Sequence, residues 1–112
     1  MKILHNPRCG KSRDTLKLIQ EAGIDPEIVL YLKDIPTKEE LISLLNKLKL
    51  NAEGIIRKGE TIFKENYKGK SFTEAEWLDI LVANPKLIER PIVIQRDRAV
   101  IGRPPENVKQ LF

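Results

Sequence analysis

Near its amino end the chain passes from a short apolar run, Lys2 to His5, through a stretch of helical periodicity into a second apolar run, Glu27 to Leu32. The helix is read from Thr15, Leu16, Ile19 and Ala22, which recur at the spacing of one helical face from about Gly10 onward. Gly23 supplies the left-handed position that commonly ends such a helix, and Pro26 prevents its continuation. The second run is rich in Ile, Val, Leu and Tyr, as strands are. Two strands joined by one helix pair in parallel, and the crossover between them is right-handed. A chain that begins this way is confined to the α/β class.

The remainder narrows the topology. Thr37 with Glu40, and Thr73 with Glu76, are capping-box pairs, each followed by apolar residues at helical spacing: Leu41, Leu44, Leu45 and Leu48 after the first, Trp77, Leu78 and Leu81 after the second. Asn84-Pro85 closes the second helix. Between the two, Asn51 to Lys70 reads as short helical pieces broken by Gly54, Gly59 and Gly69. Two apolar runs then follow, Pro91 to Ile94 and Arg98 to Ile101, separated by a charged turn at about Gln95 to Asp97, the pattern of an antiparallel hairpin. Gly102 and Pro104-Pro105-Glu106 introduce a terminal helix with Val108 and Leu111 facing inward. The order β-α-β, helices, β-β-α is that of a thioredoxin-like fold carrying a helical insertion at about residues 36–89. A chain of 112 residues accommodates this as a single domain.

Composition excludes several classes of function. With 41% hydrophobic and 32% charged residues the chain reads as a soluble globular protein, and it opens without the apolar segment of a signal peptide or membrane span. A cytoplasmic location is therefore expected. The 20 basic residues that produce a net charge of +4 are interleaved with 16 acidic ones, and only 5% of residues are aromatic. That argues against nucleic-acid binding, which needs a basic tract and stacking platforms. One Cys and one His cannot close a zinc site, and a lone Cys cannot form an internal disulfide. Neither a metal nor a bound cofactor is expected.

The one cysteine is nevertheless informative. Cys9 stands where the first strand gives way to the first helix, in a polar loop with Arg8, Lys11 and Arg13 around it. At a helix N-terminus the unpaired N–H groups of Gly10, Lys11 and Ser12 and the helix dipole favour negative charge on sulfur. His5 adds to that potential if protonated. An ordinary thiol is about 3% ionised at neutral pH, whereas cations and helix termini lower its pKa to roughly 3.5–7.5. The same geometry binds an oxyanion. Cys9 is thus read as a nucleophile placed at an anion site.

The segment "HNPRCGKSR" at His5 to Arg13 resembles the active-site loop of the glutaredoxin-coupled arsenate reductase family, His-Asn-Pro-x-Cys-x-x-Ser-Arg. The resemblance continues in order through "YLKDIPTKEEL" from Tyr31, "IIRKGE" from Ile55, "NPKLIERPIVI" from Asn84 and "IGRPPE" from Ile101, and in detail is closer to the small, less characterised branch of that family. It implies the thioredoxin-like fold, catalysis by Cys9, and an oxyanion site formed by Arg57, Arg90 and Arg103. It further implies that His5, Ser12 and Arg13 support the thiolate. Pro91 matches the position at which thioredoxin-like folds carry a cis proline. Paired guanidinium donors suit a tetrahedral oxyanion and stay charged throughout.

By the same resemblance, arsenate is reduced to arsenite through a thioarsenate adduct, with glutathione as co-substrate and glutaredoxin as partner. The lone cysteine agrees with an external thiol. Two other functions share the pattern: a glutathione-dependent thiol or disulfide reductase acting on another substrate, and a regulator of the same fold that binds RNA polymerase without catalysis. Such regulators typically carry Cys-x-x-Cys as a switch, and Ser12 in place of the second Cys argues against that use.

Overall fold

The computed structural model describes Met1–Phe112. The chain forms two compact units, one made of Met1–Asp34 with Arg90–Phe112 and the other of Ile35–Glu89.

The first unit is built on a four-stranded sheet in the order β2-β1-β3-β4. Strand β1 (Lys2–Leu4) leads into α1 (Gly10–Glu21) and then β2 (Glu27–Val29), which lies parallel to β1 with Ile3 opposite Ile28. Strand β3 (Ile92–Gln95) runs antiparallel to β1 with Val93 opposite Ile3, and β4 (Arg98–Ile101) runs antiparallel to β3. This βαβ–ββα arrangement is the thioredoxin-like fold. Register determines its core: Ile3 and Val93 share one face, on which Ile19 of α1 and Val108 and Leu111 of the C-terminal 3₁₀ helix (Pro105–Leu111) are buried with them. α1 ends at Ala22, and Gly23 takes φ +80°, the left-handed conformation in which glycine escapes the steric cost of a side chain.

Three elements differ from expectation. β2 stops at Val29 instead of Leu32, because the N–H groups of Lys33 and Asp34 both donate to the Leu30 carbonyl and turn the chain, burying Tyr31 completely. The last helix is 3₁₀ throughout. Its buried residues Pro105, Val108 and Leu111 recur every third position, which aligns on one stripe only at three residues per turn. The hairpin turn is confined to Arg96 and Asp97, since Gln95 already pairs with Arg98. The Arg90–Pro91 bond is cis, and so is Arg103–Pro104, which the sequence pattern had not indicated.

The second unit is helical. α2 (Lys38–Leu48) and α4 (Glu74–Ala83) each start at a complete capping box, Thr37 with Glu40 and Thr73 with Glu76, whose side chains and backbone N–H groups pair reciprocally. Leu41, Leu44 and Leu45 of α2 and Trp77, Leu78 and Leu81 of α4 are buried, while Leu48 is half-buried. Between them lie a 3₁₀ turn (Ala52–Ile55) and α3 (Thr61–Asn66), which brings Phe63 to within 6.3 Å of the Trp77 ring. No helix is long and apolar enough to cross a membrane.

Two substitutions test where the first unit's core lies. Ile19→Ala, at a fully buried side chain, is expected to cost about 3 kcal/mol of unfolding free energy. Ile28→Ala, on the edge strand and 46% exposed, should cost less than about 0.5 kcal/mol. Urea titrations of the two variants check the contrast.

Candidate active site

The loop between β1 and α1 is organised by Asn6. Its side-chain oxygen accepts the Arg8 N–H at 3.0 Å, its carbonyl accepts the Cys9 N–H at 3.0 Å, and its own N–H donates to Ser12 Oγ at 3.0 Å. The chain is thereby folded back so that Cys9 becomes the residue preceding the first helical turn, with extended φ/ψ of −92° and 122°. Its carbonyl accepts the Arg13 N–H at 3.0 Å, as a helix-starting residue does.

Cys9 is only partly exposed, and several groups of the first unit converge on its sulfur. Arg103 Nη2 donates to Sγ at 3.3 Å, while Arg103 Nε donates to the Arg90 carbonyl at 2.8 Å. The guanidinium is thus fixed at both ends, by the backbone before cis-Pro91 and by the thiol. The Arg90 side chain also hydrogen-bonds the sulfur. The Cys9 side chain makes no cap hydrogen bond, and the nearby N–H groups of Ser12 and Lys11 favour negative charge on its sulfur. Burial is the largest single influence on this thiol and pushes its pKa up. The Ser12 N–H, the Arg90 hydrogen bond, the Arg103 charge and the Lys11 N–H together outweigh it, and the net shift is downward. The structure therefore favours thiolate. Guanidinium and helix N-terminal N–H groups are the donor types that suit oxyanions in general.

The other expected loop residues take different parts from those read in sequence. His5 is buried, with Nδ1 2.6 Å from Ser12 Oγ, and its pKa is lowered, first by burial and then by the charge of Arg13. The folded state thus disfavours protonated His5, the form in which it would add positive potential at Cys9. The hydroxyl of Ser12 is committed to His5 and Asn6, so this residue reaches the sulfur through its backbone N–H. Arg13 donates from Nη1 to the Pro7 carbonyl at 3.0 Å and ties down the loop.

Arg57 belongs to the helical unit. Nε lies 3.2 Å from a Glu60 carboxylate oxygen and Nη1 lies 3.3 Å from one of Glu89, so its guanidinium is gripped by two acidic side chains. Cys9, Arg90, Arg103, His5, Ser12 and Arg13 all belong to the first unit.

Sequence inspection did not single out Asn6, Thr15 or Gly102 as site residues. Thr15 is a fully buried polar residue whose Oγ1 donates to the Lys11 carbonyl at 2.8 Å and lies 3.4 Å from that of Gly102. Threonine at a helical core position carries no distinguishing signal. Asn in "HNP" is the one available clue, since Asn before Pro favours turn initiation.

Two variants test these assignments. Ser12→Ala leaves the Asn6 N–H and His5 Nδ1 without their partner and is expected to cost about 2 kcal/mol of stability, while the Cys9 pKa moves by less than about half a unit because the backbone donor remains. Unfolding and thiol titration read the two effects separately. For His5 the folded pKa lies below the unfolded value, so its contribution is complete above about pH 6.5 and is lost as pH falls toward the folded value. The stability difference between the native chain and His5→Gln should accordingly shrink between about pH 7 and pH 5, as measured by chemical denaturation.

Residues 4–111 match the model of the ArsC family. An uncharacterized protein of Escherichia coli strain K12, YfgD, is 46% identical over 99% of this chain and 95% of its own length. An arsenate reductase of Neisseria meningitidis serogroup A is 40% identical, covering 100% of this chain and 97% of that one. Among solved structures, an arsenate reductase from Vibrio cholerae superposes with a TM-score of 0.95 at 41% identity, over 99% of this chain and 96% of that one. With a family match over nearly the whole chain and relatives of this identity along their full length, the chain belongs to the ArsC family of arsenate reductases.

Proposed function

We propose that this protein reduces arsenate to arsenite, with Cys9 as nucleophile and glutathione and glutaredoxin as the source of electrons. The observation that carries the reading is the 3.3 Å contact from Arg103 Nη2 to Cys9 Sγ, made beside Arg90 and the N–H groups of Lys11 and Ser12. Lowering the thiol pKa raises the fraction in the attacking form, and the donors around the sulfur are of the type that binds a tetrahedral oxyanion.

In the first step the Cys9 thiolate attacks arsenic, an S–As bond forms, and one arsenate oxygen departs as water after protonation. Arg90 and Arg103 offset the charge on the remaining oxygens. Glutathione thiolate then attacks Cys9 Sγ. The S–As bond breaks with its electron pair staying on arsenic, which passes from As(V) to As(III) and leaves as arsenite. A Cys9–glutathione disulfide remains. Glutaredoxin resolves it and returns Cys9 to the thiolate, so arsenate and two thiols become arsenite, a disulfide and water. An external thiol is required because the chain has one cysteine. His5, held neutral, acts by positioning Ser12 and hence the donor end of α1. A cytoplasmic location fits a cycle that depends on a reduced thiol.

The test is arsenite release in the presence of glutathione and glutaredoxin. Turnover is expected for the native chain and none for Cys9→Ser. Arg103→Lys should lower kcat/KM by about a hundredfold, since an ammonium cannot bridge the Arg90 carbonyl and the sulfur as a guanidinium does. Absence of turnover at millimolar arsenate with an intact, ionised Cys9 would reject arsenate as substrate and leave a thiol or disulfide reductase.

A further inference from the structure

Arg103 reaches the sulfur only because the backbone just before it lies hard against α1. Gly102 is buried between two neighbours: a side-chain carbon placed there would lie 2.6 Å from Thr15 Oγ1, 3.0 Å from Thr15 Cγ2 and 2.8 Å from Pro91 Cγ. The first and last of these are shorter than real Cβ contacts, so even one methyl group forces Thr15, Pro91 or the backbone of Gly102 to shift. The Gly102 N–H donates to the Pro91 carbonyl at 2.9 Å, and Thr15 is anchored to its own helix through the Lys11 carbonyl at 2.8 Å. The end of β4, the start of β3 and the first turns of α1 therefore meet at one point, one residue before Arg103. φ at Gly102 is not in the left-handed range, so close approach, and not backbone conformation, is what demands glycine there.

We propose that Thr15 and Gly102 are positioning residues: the contact between the Thr15 side chain and the bare Cα of Gly102 sets the reach of the Arg103 guanidinium to Cys9 Sγ and to an oxyanion bound there. Thr15 acts as the spacer on the helix side and Gly102 as the seat on the strand side. Neither touches the sulfur. Their influence passes through Arg103, whose two hydrogen bonds, 2.8 Å to Arg90 O and 3.3 Å to Sγ, leave little slack. Displacing Gly102 by the better part of an ångström makes the second of these too long to persist, while the fold of the unit, held by the Ile3, Ile19, Val93, Val108 and Leu111 core, is kept. The inference rests on Cys9 working as a thiolate, a point that the native protein's own titration decides independently of the variants.

The experiment measures the rate of Cys9 alkylation against pH on the full chain, with and without inorganic phosphate as the oxyanion probe, and follows folding by circular dichroism. Folded Gly102→Ala is expected to react about tenfold more slowly near neutral pH, with its profile moved to higher pH, and to lose most phosphate protection. Adding Thr15→Ala removes the two Thr15 atoms that the new methyl group meets while the Pro91 Cγ contact stays, and should restore part of the loss. A residue that contributed only to stability would shift neither the profile nor the phosphate effect, and would show no such mutual rescue. If Gly102→Ala does not fold, Thr15→Ala and Thr15→Ser take its place: the first is expected to move the profile, and the second, which keeps Oγ1, to stay near the native one. A native-like profile and native-like phosphate protection in folded Gly102→Ala, a double variant no better than Gly102→Ala, or a native-like profile in Thr15→Ala would each overturn the proposal.

Discussion

The proposed chemistry depends on the contact between Arg103 and Cys9. Burying a thiolate opposes its ionisation, and for Cys9 that opposition is the largest single influence. A guanidinium 3.3 Å from sulfur, a second one hydrogen-bonded to it, and two oriented N–H groups reverse the balance. Partial burial also keeps these interactions from being screened by water. The arrangement is demanding on position, since each donor comes from a different part of the chain: Lys11 and Ser12 from α1, Arg90 from the approach to β3, and Arg103 from the residue pair after β4.

The sheet order meets that demand. Placing β3 between β1 and β4 brings the start of β3 beside the end of β1, as Leu4 opposite Ile92 shows, and the end of β4 beside the start of β3, as Ile92 opposite Ile101 shows. The loop carrying Cys9, the residue before cis-Pro91 and the Gly102-Arg103 pair thus emerge at one edge of the sheet. A loop held by Asn6 and by the His5–Ser12 pair then presents the sulfur to them. Polar residues with buried side chains serve the backbone here, and the reacting group is left to main-chain donors and arginines. His5 illustrates the division: a neutral imidazole is what burial beside Arg13 favours.

Much of this was legible in the sequence because it rests on local rules. Both capping boxes form as Thr37–Glu40 and Thr73–Glu76 indicate, Gly23 follows α1 in the left-handed region, and Leu41, Leu44 and Leu45 of α2 are buried as their spacing requires, with Leu48 half-buried. The position of Cys9 before α1 follows from the same rules. What sequence inspection passed over depends on contacts between distant residues. Nothing local marks Thr15 as the neighbour of Gly102, 87 residues away, or tells that the Ser12 hydroxyl is taken by His5. The state of His5 was left conditional on protonation in the sequence, because the burial that lowers its pKa depends on the fold. The terminal helix was read as α by default, although the recurrence of Pro105, Val108 and Leu111 at every third residue favours 3₁₀ winding.

The most direct measurement of the central claim is the pH dependence of Cys9 alkylation in the native chain, free and with arsenate or phosphate. Ionisation at lower pH than an ordinary thiol, together with slowing by either anion, is the result expected from the donors around the sulfur. A thiol that stays protonated into alkaline solution and ignores both anions would contradict the account.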